Sequence, residues 1–289
     1  MEYAILGKTG REVSRIGFGG APAGLKNYLS SYDPQSNQDR SSIIAAVDKA
    51  LELGINYYDT APGYGNGQSE DIIGAALEGV KQAGDKPLFI ATKVHLHQLP
   101  ELRQSLEESL KRLRRDHVHL LQIHGTSYSS DEVSRILADD GMVHEMSKLK
   151  EEGLVQHLGF TSEDNNDAVY RLIESGIFDM MQICYNFVFQ HPYEPSRPFG
   201  SLLEAKHAGL GTAVMRATTS GTFQRWIQQV NPANTFDYTP ALIQFVLSNP
   251  LVDVALIGMR DADIVEKNVA ICNNVEGRVN LHDIHERFV

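Results

Sequence analysis

The sequence predicts an α/β fold: a closed (β/α)8 TIM barrel with an N-terminal β-hairpin capping its bottom. Three observations lead there. From Ser41 to Cys272 helical and strand patterns alternate about eight times, the count a closed barrel needs. The length of 289 residues suits one barrel domain spanning 1–289, with no linker, internal repeat or low-complexity segment to divide it. Three successive strands end in ionisable residues, Asp59, Lys93 and His124, and such barrels keep their chemistry at the C-terminal ends of strands.

The elements follow in order. Tyr3–Leu6 and Glu12–Ser14 flank a Gly-containing turn and read as the hairpin. Arg15–Gly20 is the first core strand, followed by a polar loop to Arg40. Ser42–Leu53 is an amphipathic helix ended by Gly54, and Ile55–Tyr58 is a buried strand. A loop punctuated by Pro62, Gly63 and Gly65 carries Tyr64 into the helix Ser69–Lys81. Pro87–Val94 and Val118–Ile123 are strands around the helix Leu99–Leu113. A helical stretch, Asp131–Glu152, breaks near Gly141 before the strand Val155–Phe160. Asn166–Ser175 with Met180–Ile183, then Leu202–Ala208 with Thr212–Met215, repeat the helix–strand unit. Pro240–Leu247, Val252–Ile257 and Ala262–Cys272 close the series.

Composition narrows the function. A net charge of -11 with a pI near 5.4 argues against nucleic acid or an anionic membrane as the main partner. The two cysteines, Cys184 and Cys272, lie in apolar runs without metal-knuckle spacing, which fits a reducing cytoplasm. No basic-then-apolar leader pattern opens the chain, and no run approaches ~18 apolar residues, so a cytoplasmic protein is expected. Gly17-Phe18-Gly19-Gly20-Ala21-Pro22 fails as a dinucleotide fingerprint, because Pro22 stands where the third glycine belongs and a polar loop follows.

Asp59, Tyr64, Lys93 and His124 come from three successive strand ends, which a barrel gathers around one mouth. Carbonyl reduction needs a proton donor, and a lone tyrosine with a pKa of ~10 is a weak acid at neutral pH. A nearby ammonium lowers that pKa, a carboxylate holds the ammonium in place, and an imidazole N–H can orient the carbonyl oxygen.

The sequence resembles the aldo-keto reductase family over nearly its whole length. The matching pieces are Gly54-Ile55-Asn56, Asp59-Thr60-Ala61, Tyr64-Gly65, Ala91-Thr92-Lys93, Leu120-Leu121-Gln122-Ile123-His124, Gly159-Phe160-Thr161-Ser162 and Gln182-Ile183-Cys184-Tyr185-Asn186, in matching order and spacing. The resemblance implies a catalytic tetrad: Tyr64 as general acid or base, Lys93 and Asp59 as its tuning pair, and His124 as the orienting donor. It also implies a nicotinamide dinucleotide stretched across the mouth. Thr161, Ser162 and Gln182 would bind the carboxamide, and Met215 would lie against the nicotinamide ring. Arg216 to Gly221 would clamp the pyrophosphate. Gly258, Arg260 and Asn268 would meet the adenosine end, with Gly20 among the cofactor positions.

Many relatives carry Lys at the Gly258 position and Arg at the Ile264 position, which leaves Arg260 as the cation for a 2′-phosphate. NADP(H) is favoured on that basis, with NAD(H) the alternative. The expected partner is a small-molecule carbonyl or sugar substrate. Pocket walls are sought among Tyr28, Tyr32, Tyr128, Tyr185 and Trp226, with Trp226 in the insert Thr219–Tyr238. Three alternatives stand beside this reading: a sugar dehydrogenase running oxidatively, a cofactor-sensing regulatory subunit, and a metal-dependent hydrolase built on His95-x-His97 or His117-x-His119. The first histidine pair falls just beyond Lys93 and the second at the start of its strand, the wrong end for barrel chemistry.

Overall fold

Strands β1 (Tyr3–Ile5) and β2 (Glu12–Ser14) pair antiparallel, Tyr3 against Ser14, in a computed structural model that describes residues 1–28, 30–190 and 200–281. The barrel strands are β3 (Ile16–Gly19), β4 (Tyr57–Asp59), β7 (Phe89–Val94), β8 (Val118–Ile123), β9 (Val155–Ser162), β10 (Met180–Cys184), β11 (Gly211–Met215) and β12 (Val254–Ile257). All neighbours run parallel, and the ring closes through β9–β10 and β12–β3. A two-residue ribbon, β5 (Gln82–Ala83) with β6 (Lys86–Pro87), precedes β7.

Side-chain alternation divides the core into two shells. Inside the barrel, Tyr57, Phe89, Leu120, Met180, Ala213 and Val254 pack with Leu6 and Val13, so the hairpin plugs the N-terminal end of the ring. Between strands and helices lies a larger apolar shell that includes Phe18, Tyr58, Ile90, Leu121, Phe160 and Ile183. Tyr57 stacks on Phe89 at 5.0 Å inside, whereas Tyr58 stacks on Phe18 at 5.8 Å outside. One residue of register separates the two environments.

Several boundaries differ from the sequence reading. The first long helix begins at Asn37 rather than Ser42, because the Ser36 hydroxyl accepts from the Asp39 N–H and caps it there. The polar loop after β3 contains a short helical turn, Ala21–Gly24, with Pro22 in its first turn. The second helix, Gln68–Ala76, stops earlier than Lys81. The insert after β11 holds a helix, Thr222–Val230, with no buried residue. No helix among the described residues is long and apolar enough to cross a membrane.

Candidate active site

The inward alternation that fills the barrel bottom with apolar side chains carries polar ones to its top. Tyr57 then Asp59 point inward on β4, as do Phe89, Ala91 and Lys93 on β7, and Leu120, Gln122 and His124 through β8. Met180 then Gln182 follow on β10, and Ala213 then Met215 on β11. Tyr64 arrives from the loop after β4. That loop is seated by contact between Gly65, at φ +68°, and Gly24, where a Cβ on either residue would overlap the other segment's backbone.

At the mouth Lys93 Nζ donates to both Asp59 carboxylate oxygens at 2.7 Å and to the Thr60 carbonyl at 2.8 Å. Lys93 is 1% exposed and Asp59 3%. The ammonium also lies 4.9 Å from the centre of the Tyr64 ring, which meets His124 edge-on at 5.6 Å. All four side chains line one cleft. Gln122 extends the network, its Nε2 donating to Asp59 at 3.3 Å and to Gln182 Oε1 at 3.1 Å.

The electrostatics follow from burial and the ion pair. Burial opposes the charge on Lys93, but Asp59 and Tyr64 outweigh it and hold Lys93 above its ordinary value. Burial raises the Asp59 carboxyl, against the pull of Lys93 and of hydrogen bonds from Gln122 and Gln182. With the ammonium bound by both carboxylate oxygens, the direction on Lys93 governs the pair, which stays ionic at neutral pH. Burial also raises Tyr64, and Lys93 pulls it back only in part, so the resting phenol keeps its proton. Burial, Lys93 and His95 push His124 down to about 3, leaving a neutral imidazole whose buried Nδ1 has no hydrogen-bond partner.

Of the expected cofactor positions, Thr161, Gln182, Met215, Arg216 and Gly258 line the cleft with the tetrad. Ser162 does not line it: Thr161 takes the inward position on β9, so Ser162 turns outward and bonds Asp164. Gly20, at the start of the Ala21–Gly24 turn, does not line the cleft either, its N–H bonding the Asp59 carbonyl at 2.7 Å. Gly221 caps the Thr222–Val230 helix, and Asn268 is buried within Ala262–Asn273; neither lines the cleft. Thr161 Oγ1 is occupied at both ends by the Gly125 backbone, at 2.7 and 3.0 Å. Gln182 is different: its Nε2 reaches the Met215 sulfur at 3.8 Å and also hydrogen-bonds Asp59, which sets an amide side chain at the cleft. That amide, beside Met215 and the tetrad, has the donor and acceptor chemistry to face a nicotinamide carboxamide.

Arg216 is paired with Glu163 at 2.6 Å, a partner the sequence gives no local signal for. Arg260 does not line the cleft but turns toward the 22–32 segment, donating to the carbonyls of Pro22 and Ser30. Of the aromatic residues sought as walls, Tyr28 lines the cleft. Tyr32 and Tyr128 bond backbone carbonyls, Tyr185 stacks on Phe245, and Trp226 lines a separate apolar cavity with Phe187 and Phe223.

The histidine pairs serve other ends. His119 Nδ1 accepts the Ile90 N–H at 3.1 Å near the barrel bottom. His97, His95 and His124 form a stack with ring separations of 5.2 and 4.5 Å. No group of three or more candidate metal ligands converges among the described residues. In the sequence Gln122 figures only within the Leu120–His124 match and His95 only as a candidate metal ligand, and neither is expected beside the tetrad. For Gln122 the signal was available, since it shares a strand face with His124 two residues on.

Residues 15–242 match the sequence model described as the Aldo/keto reductase family. Over 96% of this chain and 89% of that protein, the sequence is 28% identical to L-galactose dehydrogenase of Arabidopsis thaliana. It is 32% identical to methylglyoxal reductase DkgA of Salmonella typhimurium over 54% of this chain and 51% of that protein. Among solved structures, an aldo-keto reductase from Klebsiella pneumoniae in complex with NADPH superposes with a TM-score of 0.73 at 18% identity, covering 99% of this chain and 94% of that one.

Proposed function

The chain belongs to the aldo/keto reductase family, and on that premise we propose that Asp59, Tyr64, Lys93 and His124 perform the proton-transfer half of its reaction. Membership makes the protein an NAD(P)(H)-dependent oxidoreductase acting between carbonyl and alcohol. The observation that carries the assignment is the bidentate Lys93–Asp59 pair, with its charge 4.9 Å from the Tyr64 ring.

When bound, the cofactor gives hydride to the carbonyl carbon or takes it back from the alcohol. In the reductive direction Tyr64 donates its proton to the carbonyl oxygen, and the Lys93 ammonium stabilises the phenolate left behind. Asp59 keeps that ammonium in place, and Gln122 ties Asp59 to Gln182. Neutral His124 offers an N–H that orients the carbonyl oxygen without adding a cation beside Lys93. The place of the Gln182 amide on the cleft wall supports its role in holding the carboxamide, and Met215 supplies the apolar surface beside it.

For the cofactor we take NADP(H) first, supported by the NADPH complex of the Klebsiella neighbour. NAD(H) is the second reading, favoured by the fact that Arg216 and Arg260 already have partners within the chain. For the substrate, a small aldehyde or ketone is supported by the methylglyoxal reductase relative. Oxidation of an aldose is supported by the L-galactose dehydrogenase relative, which spans nearly the full chain.

The test is nicotinamide absorbance, followed with NADPH and NADH against methylglyoxal and, in reverse, with NADP+ and NAD+ against L-galactose. Carbonyl-dependent oxidation or sugar-dependent reduction of the nucleotide is expected. Tight dinucleotide binding with no turnover on a wide carbonyl and sugar panel would point instead to a cofactor-sensing role.

A further inference from the structure

One arginine fastens an entire wall of the cleft. Every nitrogen of the Arg260 guanidinium is spent on Pro22, Leu25 or Ser30. Nε donates to the Pro22 carbonyl at 3.1 Å, and Nη2 to the Leu25 carbonyl at 3.4 Å. Nη1 donates to the Ser30 carbonyl at 3.2 Å and to its hydroxyl at 2.9 Å. The same guanidinium lies 4.2 Å over the Tyr32 ring, whose hydroxyl donates back to the Ala23 carbonyl at 2.6 Å. A planar fork with five N–H donors suits such a fan of carbonyls in a way that a lysine ammonium does not. The arginine is itself fixed, because the Ser42 hydroxyl bonds its carbonyl at 2.9 Å.

Gly258 completes the device. A Cβ there would lie 2.4 Å from Pro22 Cγ, so a side chain at 258 and Pro22 in its present seat exclude one another. The absence of a side chain at 258 lets the 21–25 turn settle on the end of β12, and Arg260 then pins it. What is pinned is functional surface: Ala21, Pro22, Leu25 and Tyr28 all line the cleft.

We propose that Arg260 is a positioning residue that anchors residues 21–28, with Ser30 and Tyr32, as a wall of the substrate cleft, and that it does not read the cofactor's 2′-phosphate. The proposal rests on the cleft being the dinucleotide and carbonyl site. A phosphate could take this guanidinium only by displacing its loop acceptors, which would release the wall. Selectivity between the two dinucleotides is therefore independent of Arg260, while apparent substrate affinity depends on it.

Full-length R260A, R260K and S30A test this by limited trypsin digestion, with mass spectrometry of cleavage after the exposed Lys26. Calorimetry with NADPH and NADH, and KM and kcat for methylglyoxal, complete the set. R260A is expected to speed cleavage after Lys26 about tenfold or more, with S30A and R260K in between. In R260A the KM for methylglyoxal rises more than kcat changes, and the NADPH-to-NADH affinity ratio stays within about twofold of wild type. Wild-type protection of Lys26 in R260A, or an approximately tenfold loss of NADPH affinity with NADH unchanged, overturns the proposal. If R260A does not fold, S30A decides: faster cleavage supports the anchor and wild-type cleavage refutes it. Failure of wild type to bind either dinucleotide would undo the functional reading, while cleavage after Lys26 would still decide the anchor.

Discussion

At the scale of single residues, the Lys93–Asp59 pair is both the tuning device and a stability liability. Two charges at 1% and 3% exposure are tolerable only together. Lys93→Met leaves the Asp59 carboxyl buried without its cation. It is expected to cost about 3–5 kcal/mol in chemical denaturation, with Asp59→Asn/Lys93→Met costing less than Lys93→Met alone. A double variant no more stable than the single one would contradict this. The same substitution removes the charge and hydrogen bond by which Lys93 pulls Tyr64 down, so the Tyr64 pKa is expected to climb further in a titration of the phenol. Arg260 shows what residue identity alone leaves out. Its place in the chain matched a phosphate contact, but its acceptors lie more than two hundred positions away, where no local pattern records them.

At the scale of elements, period-2 alternation made most of the site legible. Once β7 is a strand with Phe89 and Ala91 inward, Lys93 is inward too, and the same reasoning carries His124 on β8. Applied to β9, it also separates Thr161 from Ser162, a distinction the motif Gly159-Phe160-Thr161-Ser162 conceals because a motif has no faces. Loops were least legible, since their conformation depends on distant contacts: the 21–25 turn needs Gly258, and the loop after His124 needs Thr161. Gly258→Ala is expected to destabilise the fold by about 1–3 kcal/mol through contact with Pro22. The same variant should raise trypsin cleavage after Lys26; wild-type stability would show that the turn yields freely.

At the scale of the molecule, the barrel is a gradient from a dry bottom plugged by Leu6 and Val13 to an ionic mouth. The fold was readable because eight strand–helix units and a leftover hairpin fit few other arrangements. Leu6→Ala at the centre of the plug is expected to cost about 2–5 kcal/mol in a denaturant melt, and a near-neutral result would mean the hairpin is dispensable. Acid should weaken the whole. His119 and His124 titrate near 3 when folded, against about 6.5 unfolded, so the unfolded chain binds more protons between those values. Stability is therefore expected to be full above pH ~6.5 and to fall toward pH ~3, by up to about 1.4 kcal/mol per pH unit for each histidine. A stability flat across that window would contradict their buried, neutral state. The central claim, that Tyr64 moves the proton while other groups bind the cofactor, is tested most directly in Tyr64→Phe by measuring dinucleotide affinity and turnover on the same preparation. Affinity within about twofold of wild type, with turnover reduced about 10²–10⁴-fold, is the expected result. Turnover close to wild type would contradict the account.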